Sequence, residues 1–177
     1  MEVIRPSRTV VLVEGESDRV AFTTLARLNG RDLTSDGVEV VSIGGATNVH
    51  RFVGRYADPT GHVRVAGLCD LGERRFFARV VRRHPFTFFV CERDLEDELI
   101  RCLGTGRVLE VVAAQGEAAA LATFRRQPAQ RTRPLEAQLH RFLGTHSGRK
   151  ARYARALVEA LPTGTAPTPL TELLAHV

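Results

Sequence analysis

The chain has 177 residues, 44% of them hydrophobic, and a formal net charge of +5; that is long enough for one sizeable domain and short for two. It holds no apolar run near the roughly 18 residues a membrane helix needs, and its start, MEVIRPSR, lacks the apolar centre of a signal peptide, so a cytoplasmic protein without membrane association is expected. Cys69, Cys91 and Cys102 are odd in number and contain no CxxC pair; they read as buried free thiols and argue against a structural zinc.

In chain order, the β-branched run of Thr9–Val13 predicts a first strand, and four unbroken apolar residues suit a strand covered on both faces. It stops at Glu14-Gly15-Glu16-Ser17-Asp18, and a helical pattern over 18–28 follows, with Ser17 or Asp18 as N-cap and Asn29-Gly30 as its end. A second strand is expected over 38–43, then a Gly44-Gly45 turn into a helix over 48–56, and a closing turn at Asp58-Pro59-Thr60-Gly61. The third strand covers 62–68 and leads into Cys69-Asp70-Leu71-Gly72-Glu73.

The third helix, over 73–84, is amphipathic: Phe76, Phe77, Val80 and Val81 fall on one face and Arg75, Arg79, Arg82 and Arg83 on another. Pro85 stops it, and 86–90 makes a fourth strand. An acid-dense segment, Glu92 to Glu98, opens a further helix to about Leu103, and 107–113 reads as a possible fifth strand. Helical patterns then cover 116–125, 135–143, 149–161 and 170–175, with a polar connection at 127–134. Alternating strands and helices up to about residue 113 argue an α/β domain with a mainly parallel, four-stranded sheet, followed over 114–177 by a helical extension packed on the same domain.

Charge is uneven along the chain: residues 1–106 hold 15 Arg and 15 acids, whereas 107–177 hold 10 Lys+Arg and 5 acids. A basic flank beside an acidic site suits a polyanion such as nucleic acid; an Arg-rich proteome is the plain alternative. Three acidic clusters follow apolar runs, at Glu14 to Asp18, Asp70 to Glu73 and Glu92 to Glu98. Open α/β sheets keep their sites at the carboxyl ends of strands. Carboxylates from neighbouring strand ends can hold a divalent cation such as Mg²⁺, with waters and substrate phosphates completing the shell. Helix N-capping is the competing use of such acids, and it suits Glu16, Ser17 and Glu98 better than Glu14 and Asp70, which stand ahead of their helices.

Other patterns carry less. Gly144 to Lys150 is Gly-rich but misses the Walker A spacing and follows a helix, so no ATP is expected. Gly44-Gly45 lacks the G-x-G-x-x-G pattern, and the six histidines are scattered, as solvent-facing or capping residues would be. Lys150 is the single lysine among 25 Lys+Arg residues, and a compact ammonium is not interchangeable with a guanidinium at a transition-state oxygen.

The ordered set Val13-Glu14-Gly15-Glu16-Ser17-Asp18, Gly44-Gly45 and Cys69-Asp70-Leu71-Gly72-Glu73 resembles a Toprim domain. With Asp94-Leu95-Glu96 and Gly148-Arg149-Lys150 ahead of an Ala/Arg helix, it is most similar to the Toprim domain of the overcoming-lysogenization-defect (OLD) nucleases, here without their ATPase domain. The resemblance implies a Rossmann-like fold and chemistry on nucleic acid with Mg²⁺ or Mn²⁺. It makes Glu14 the glutamate of the first motif and Asp70 the first aspartate of Asp-x-Asp. Asp18 and Glu96 match further acidic positions, and Lys150 matches the lysine that supports cleavage. Gly72 departs from the pattern, where a second Asp is usual, and Glu73 stands next to it.

Two functions follow as expectations. The first is a metal-dependent endonuclease with Glu14, Asp70 and Lys150 catalytic, Glu14, Asp18 and Asp70 on the metal, and Glu73, Glu96 and Asp97 holding a second ion or ordering waters. The second is a catalytically weak module that binds metal and phosphate through the same acids. In either, the stripe Arg75, Arg79, Arg82 and Arg83, together with Arg149 and Arg152, grips the phosphate backbone of DNA or RNA.

Overall fold

In the computed structural model, which describes residues 8–58, 60–145 and 148–177, four strands form one sheet: β1 (Arg8–Val13), β2 (Val38–Ser42), β3 (Val63–Asp70) and β4 (Thr87–Cys91). All pairs are parallel, in the order β2-β1-β3-β4. The chain's first seven residues, Pro59 of the expected turn and the His146-Ser147 pair of the Gly-rich stretch lie outside the described residues.

Val10 to Val13 are fully buried, as the unbroken apolar run requires. Strand alternation divides them: Val10 and Leu12 enter one apolar cluster, Val11 and Val13 the other. On the Val10 side lie α2 (Val49–Tyr56) and α3 (Arg74–Val81), each entered through one turn of 3₁₀ helix, Ala46–Asn48 and Leu71–Glu73. They bury Val49, Val53, Phe77 and Val80 against Val65, Cys69 and Phe86. On the Val11 side lie α1 (Glu16–Leu28) and six further helices: α4 (Leu95–Ala114), α5 (Ala118–Arg126), α6 (Pro128–Arg131), α7 (Leu135–Leu143), α8 (Arg149–Glu159) and α9 (Thr168–His176). Tyr153, Leu157, Val158, Leu170 and Leu173 share one apolar cluster with Val11, Val13 and Leu68, so the C-terminal helices complete the core that β1 and β3 begin.

Four expectations are corrected. Residues 107–113 form no fifth strand; they are the second half of α4, beyond a break at Gly104 (φ 74°, ψ 154°). Val108, Val111 and Val112 are all buried, a spacing of three and four that one helix face satisfies and a strand does not. Helix α3 ends at Val81 rather than His84, since the residue before Pro85 is driven out of helical backbone. Val81 is 44% exposed, so the core face of α3 rests on Phe77 and Val80, with Phe76 half-buried. Cys69 and Cys91 are buried free thiols, but Cys102 is exposed.

Candidate functional site

Strand order reverses between β1 and β3: the chain leaves β1 for β2 on one side, and β3 for β4 on the other. In an open parallel sheet the crevice outside the carboxyl ends at that point is where ligands bind. Glu14 follows the last residue of β1, and Asp70 is the last residue of β3. The two are in direct contact, Asp70 donating its backbone N–H to Oε1 of Glu14 at 2.9 Å.

Helix α1 begins at Glu16 with Gly15 as N-cap, two residues earlier than the sequence suggests. Asp18 is therefore not the cap but the third helical residue, and its Oδ2 reaches back to accept the N–H of Gly15 at 2.8 Å, half of a capping box. That fold-back turns its carboxyl toward Glu14. Glu96 enters from the first turn of α4, whose N-cap Asp94 accepts the N–H of Asp97 at 2.9 Å. Lys150, at the start of α8, brings Nζ within 3.3 Å of Glu96 Oε1. Glu14, Asp18, Asp70, Glu96 and Lys150 thus line one cleft of about 510 Å³.

The electrostatics follow from carboxylates crowded with little counter-charge. Burial, then the charges of Glu14, Asp18, Asp94 and Glu96, push Asp70 up to about 8. Burial, Glu96 and Glu14 push Asp18 up to about 7. Glu14 is also raised, by burial and the nearby Glu73, against the hydrogen bond from Asp70. Burial alone would lower Lys150, but Glu96, Asp94 and Asp18 outweigh it and raise the ammonium. Glu96 Oε1 is buried and, despite the ion-pair distance to Lys150, meets no partner in hydrogen-bond geometry among the described residues. An orphaned buried carboxylate oxygen among acids held part-protonated is what a missing cation would relieve. Hard oxygen donors fit a divalent ion. Among the described residues no three acid, histidine or cysteine side chains are yet drawn together tightly enough to hold one, so ligation requires rotation of these side chains into the cleft.

The remaining expected residues are placed differently. Glu73 lies close enough to Glu14 to raise it but does not line the cleft. Asp97 is turned away, paired with Arg101 at 3.1 Å and Arg93 at 3.5 Å. Glu16 is bound by Arg19. Gly72 is exposed, and a Cβ there would meet nothing within 4 Å. Arg75, Arg79, Arg82 and Arg83 are all exposed.

Arg149 and Arg152 are not free for phosphates: both hold Glu117, at 2.9 and 2.7 Å, and Tyr153 donates its hydroxyl to the same carboxylate at 2.7 Å. Burial pushes Glu117 up, but these three hydrogen bonds prevail and hold it down at about 2. The cluster ties the start of α8, and so Lys150, to the loop after α4. His140 is likewise no solvent residue; its Nε2 lies 2.6 Å from Asp94 Oδ2, with 18% of its side chain exposed. His140 carries no motif of its own, and only the 46-residue separation closed by the fold reveals its pairing with Asp94.

A parallel sheet with a glutamate after β1 and an aspartate ending the neighbouring β3 is a Toprim-like fold. Residues 7–71 match the model of the overcoming lysogenization defect protein-like TOPRIM domain. The C-terminal region of the Burkholderia pseudomallei OLD protein is similar over 96% of both chains, with 21% identity and a TM-score of 0.67. That of the Xanthomonas campestris pv. campestris OLD protein is similar over 96% of this chain and 94% of its own, with 24% identity and a TM-score of 0.66. No curated protein matches the chain. Toprim domains generally bind divalent metals, and no helix among the described residues is long and apolar enough to cross a membrane.

Proposed function

We propose that this protein is a divalent-metal-dependent endonuclease that cleaves phosphodiester bonds of DNA or RNA in the cytoplasm. The observation that carries the proposal is the convergence of Glu14, Asp18, Asp70 and Glu96 from four separate elements on one cleft where Lys150 is the only lining cation among the described residues. The OLD-like Toprim match supports the same class of chemistry.

When bound, Mg²⁺ or Mn²⁺ supplies Lewis acidity to the scissile phosphate and lowers the pKa of an attacking water. Glu14 and Asp70, joined by the Asp70 N–H bond to Glu14, would hold the ion, with Asp18 fixing the turn after Glu14 through Gly15 and lining the same cleft. Glu96, 3.3 Å from Lys150, would serve a second ion or order waters, and Glu73 lies close enough to Glu14 to act on its charge. Lys150 itself, with half its side chain exposed, presents its ammonium to a non-bridging oxygen as negative charge grows there. Asp97, committed to two arginines, orients the start of α4 instead of binding metal. The stripe on α3 holds the backbone, while Arg149 and Arg152 keep α8 in place.

Gly72 favours a second reading, a catalytically weak module that binds metal and phosphate at the same site, since the position offers no second carboxylate beside Asp70. Cleavage of plasmid, single-stranded DNA and structured RNA with Mn²⁺ separates the two. The proposal expects metal-dependent cleavage that Glu14→Gln and Asp70→Asn abolish in folded protein. Binding without cleavage in every metal supports the second reading. Variants that keep activity but lose about 0.5–2 kcal/mol of stability reduce these acids to helix caps.

A further inference from the structure

We propose that the whole outer surface of α2 and α3 docks a phosphodiester backbone, with Arg51 and Arg55 of α2 contributing alongside the arginines of α3. The inference rests on the nucleic-acid reading above and names the surface that would deliver the strand to that site.

Charge is segregated by sheet face. Residues 44–91 contain eight arginines and three acids. Of those acids, Asp70 and Glu73 stand at the carboxyl edge of the sheet, and Asp58 is spent on Thr60 and His62 in its own turn. Arg51, Arg55, Arg74, Arg75, Arg79, Arg82 and Arg83 are all exposed. Among the described residues none of the seven makes an ion pair or a side-chain hydrogen bond, whereas most arginines of the opposite layer are engaged. Arg27 pairs with Glu159, Arg107 with Glu110, Arg101 with Asp97, and Arg149 with Glu117. Folding gives no reason for this arrangement. Arg51 and Arg55, and Arg75 and Arg79, stand four residues apart within their helices, a like-charge spacing that destabilises a helix.

The guanidinium groups are supported from below. Arg75 lies over the ring of Phe76 at 4.8 Å, Arg51 over Phe52 at 5.1 Å and Arg55 over Tyr56 at 5.8 Å. A stacked guanidinium loses less freedom when it takes a phosphate in a bidentate fork. Each helix is about 12 Å long, and α2 and α3 pack against each other, so their arginines lie on adjoining helices. Both helices begin at the site. Helix α3 follows Asp70 directly, and the turn ahead of α2 is tied to the first motif by the Gly45 N–H, donated to the Glu14 carbonyl at 3.0 Å.

The test is a salt titration of binding, in EDTA to prevent cleavage, of the full chain to a 30-bp DNA duplex and to one of its strands. Each phosphate contact contributes about 0.9 to the slope of log K against log salt on duplex and about 0.7 on a single strand. Arg51→Ala with Arg55→Ala should therefore flatten the slope by roughly 1.8 on the duplex or 1.4 on the single strand. Arg51→Lys with Arg55→Lys should keep the wild-type slope, as should Arg27→Ala with Arg107→Ala on the opposite layer. An unchanged slope for the double alanine variant, in a protein whose melt is also unchanged, overturns the α2 surface while leaving the nucleic-acid reading intact. Failure of the unaltered protein to bind either strand form overturns both.

Discussion

Replacing Asp70 by Asn should stabilise the metal-free protein, and the effect should grow with pH. In the folded chain Asp70 is held up at about 8 by burial and by four neighbouring acids, whereas unfolded it has the ordinary value near 3.9. A group whose folded pKa is raised contributes stability that is complete below the unfolded value and is lost as pH rises through the folded one. The metal-free protein should therefore weaken from about pH 4 to about pH 8. At pH 7 that window spans about three tenfold steps in proton affinity, each about 1.4 kcal/mol. Water entering the half-open cleft screens part of this, leaving about 2–4 kcal/mol. For a chain of this length each kcal/mol moves Tm by about 2–4 °C, so Asp70→Asn should melt roughly 4–16 °C higher than the unaltered protein at pH 7 in EDTA. The two should converge near pH 4. Mn²⁺ at 1,000 times its Kd should reverse the order, because it then adds about 4.1 kcal/mol to the form that binds it. A variant that melts at or below the unaltered protein across the whole range would refute the crowding of acids on which the site rests.

Gly72→Asp should fold normally, since a Cβ there meets nothing within 4 Å, and should tighten Mn²⁺ binding as measured by calorimetry by restoring a second carboxylate beside Asp70. Glu117→Gln should cost about 1–3 kcal/mol at pH 7 by weakening charge-assisted bonds to Arg149 and Arg152. Because Glu117 is lowered to about 2, its contribution is present above about pH 4.5 and lost as pH falls toward 2, where variant and parent should melt together. Gly67→Ala should cost about 1–3 kcal/mol in a denaturant titration, because its Cβ would stand 2.8 Å from Phe86 and 3.0 Å from Phe77.

What was legible in the sequence was whatever local pattern decides. The buried run of Val10 to Val13, the glutamate after it and the aspartate after the next apolar run give β1, β3 and the two acids that meet. The start of α7 at Leu135 and of α8 at Arg149 also follow from periodicity. What escaped depended on contacts distant along the chain. Residues 107–113 carry β-branched residues that locally favour a strand, and only the burial of Val108, Val111 and Val112 on one face makes them helical. Asp97 is indistinguishable from Glu96 by composition, yet one helix position turns it to Arg101 and away from the cleft. The basic excess counted along the chain fell beyond residue 107, but there Glu117 absorbs two arginines and Glu110 a third, so the unengaged row lies on α2 and α3.

The central claim is that Glu14 and Asp70 share one divalent ion, and anomalous scattering from crystals grown with Mn²⁺ tests it most directly. The account predicts a peak in the cleft within about 2.0–2.6 Å of a carboxylate oxygen from each of the two residues. No peak there at millimolar Mn²⁺, or a peak ligated by only one of them, would contradict it.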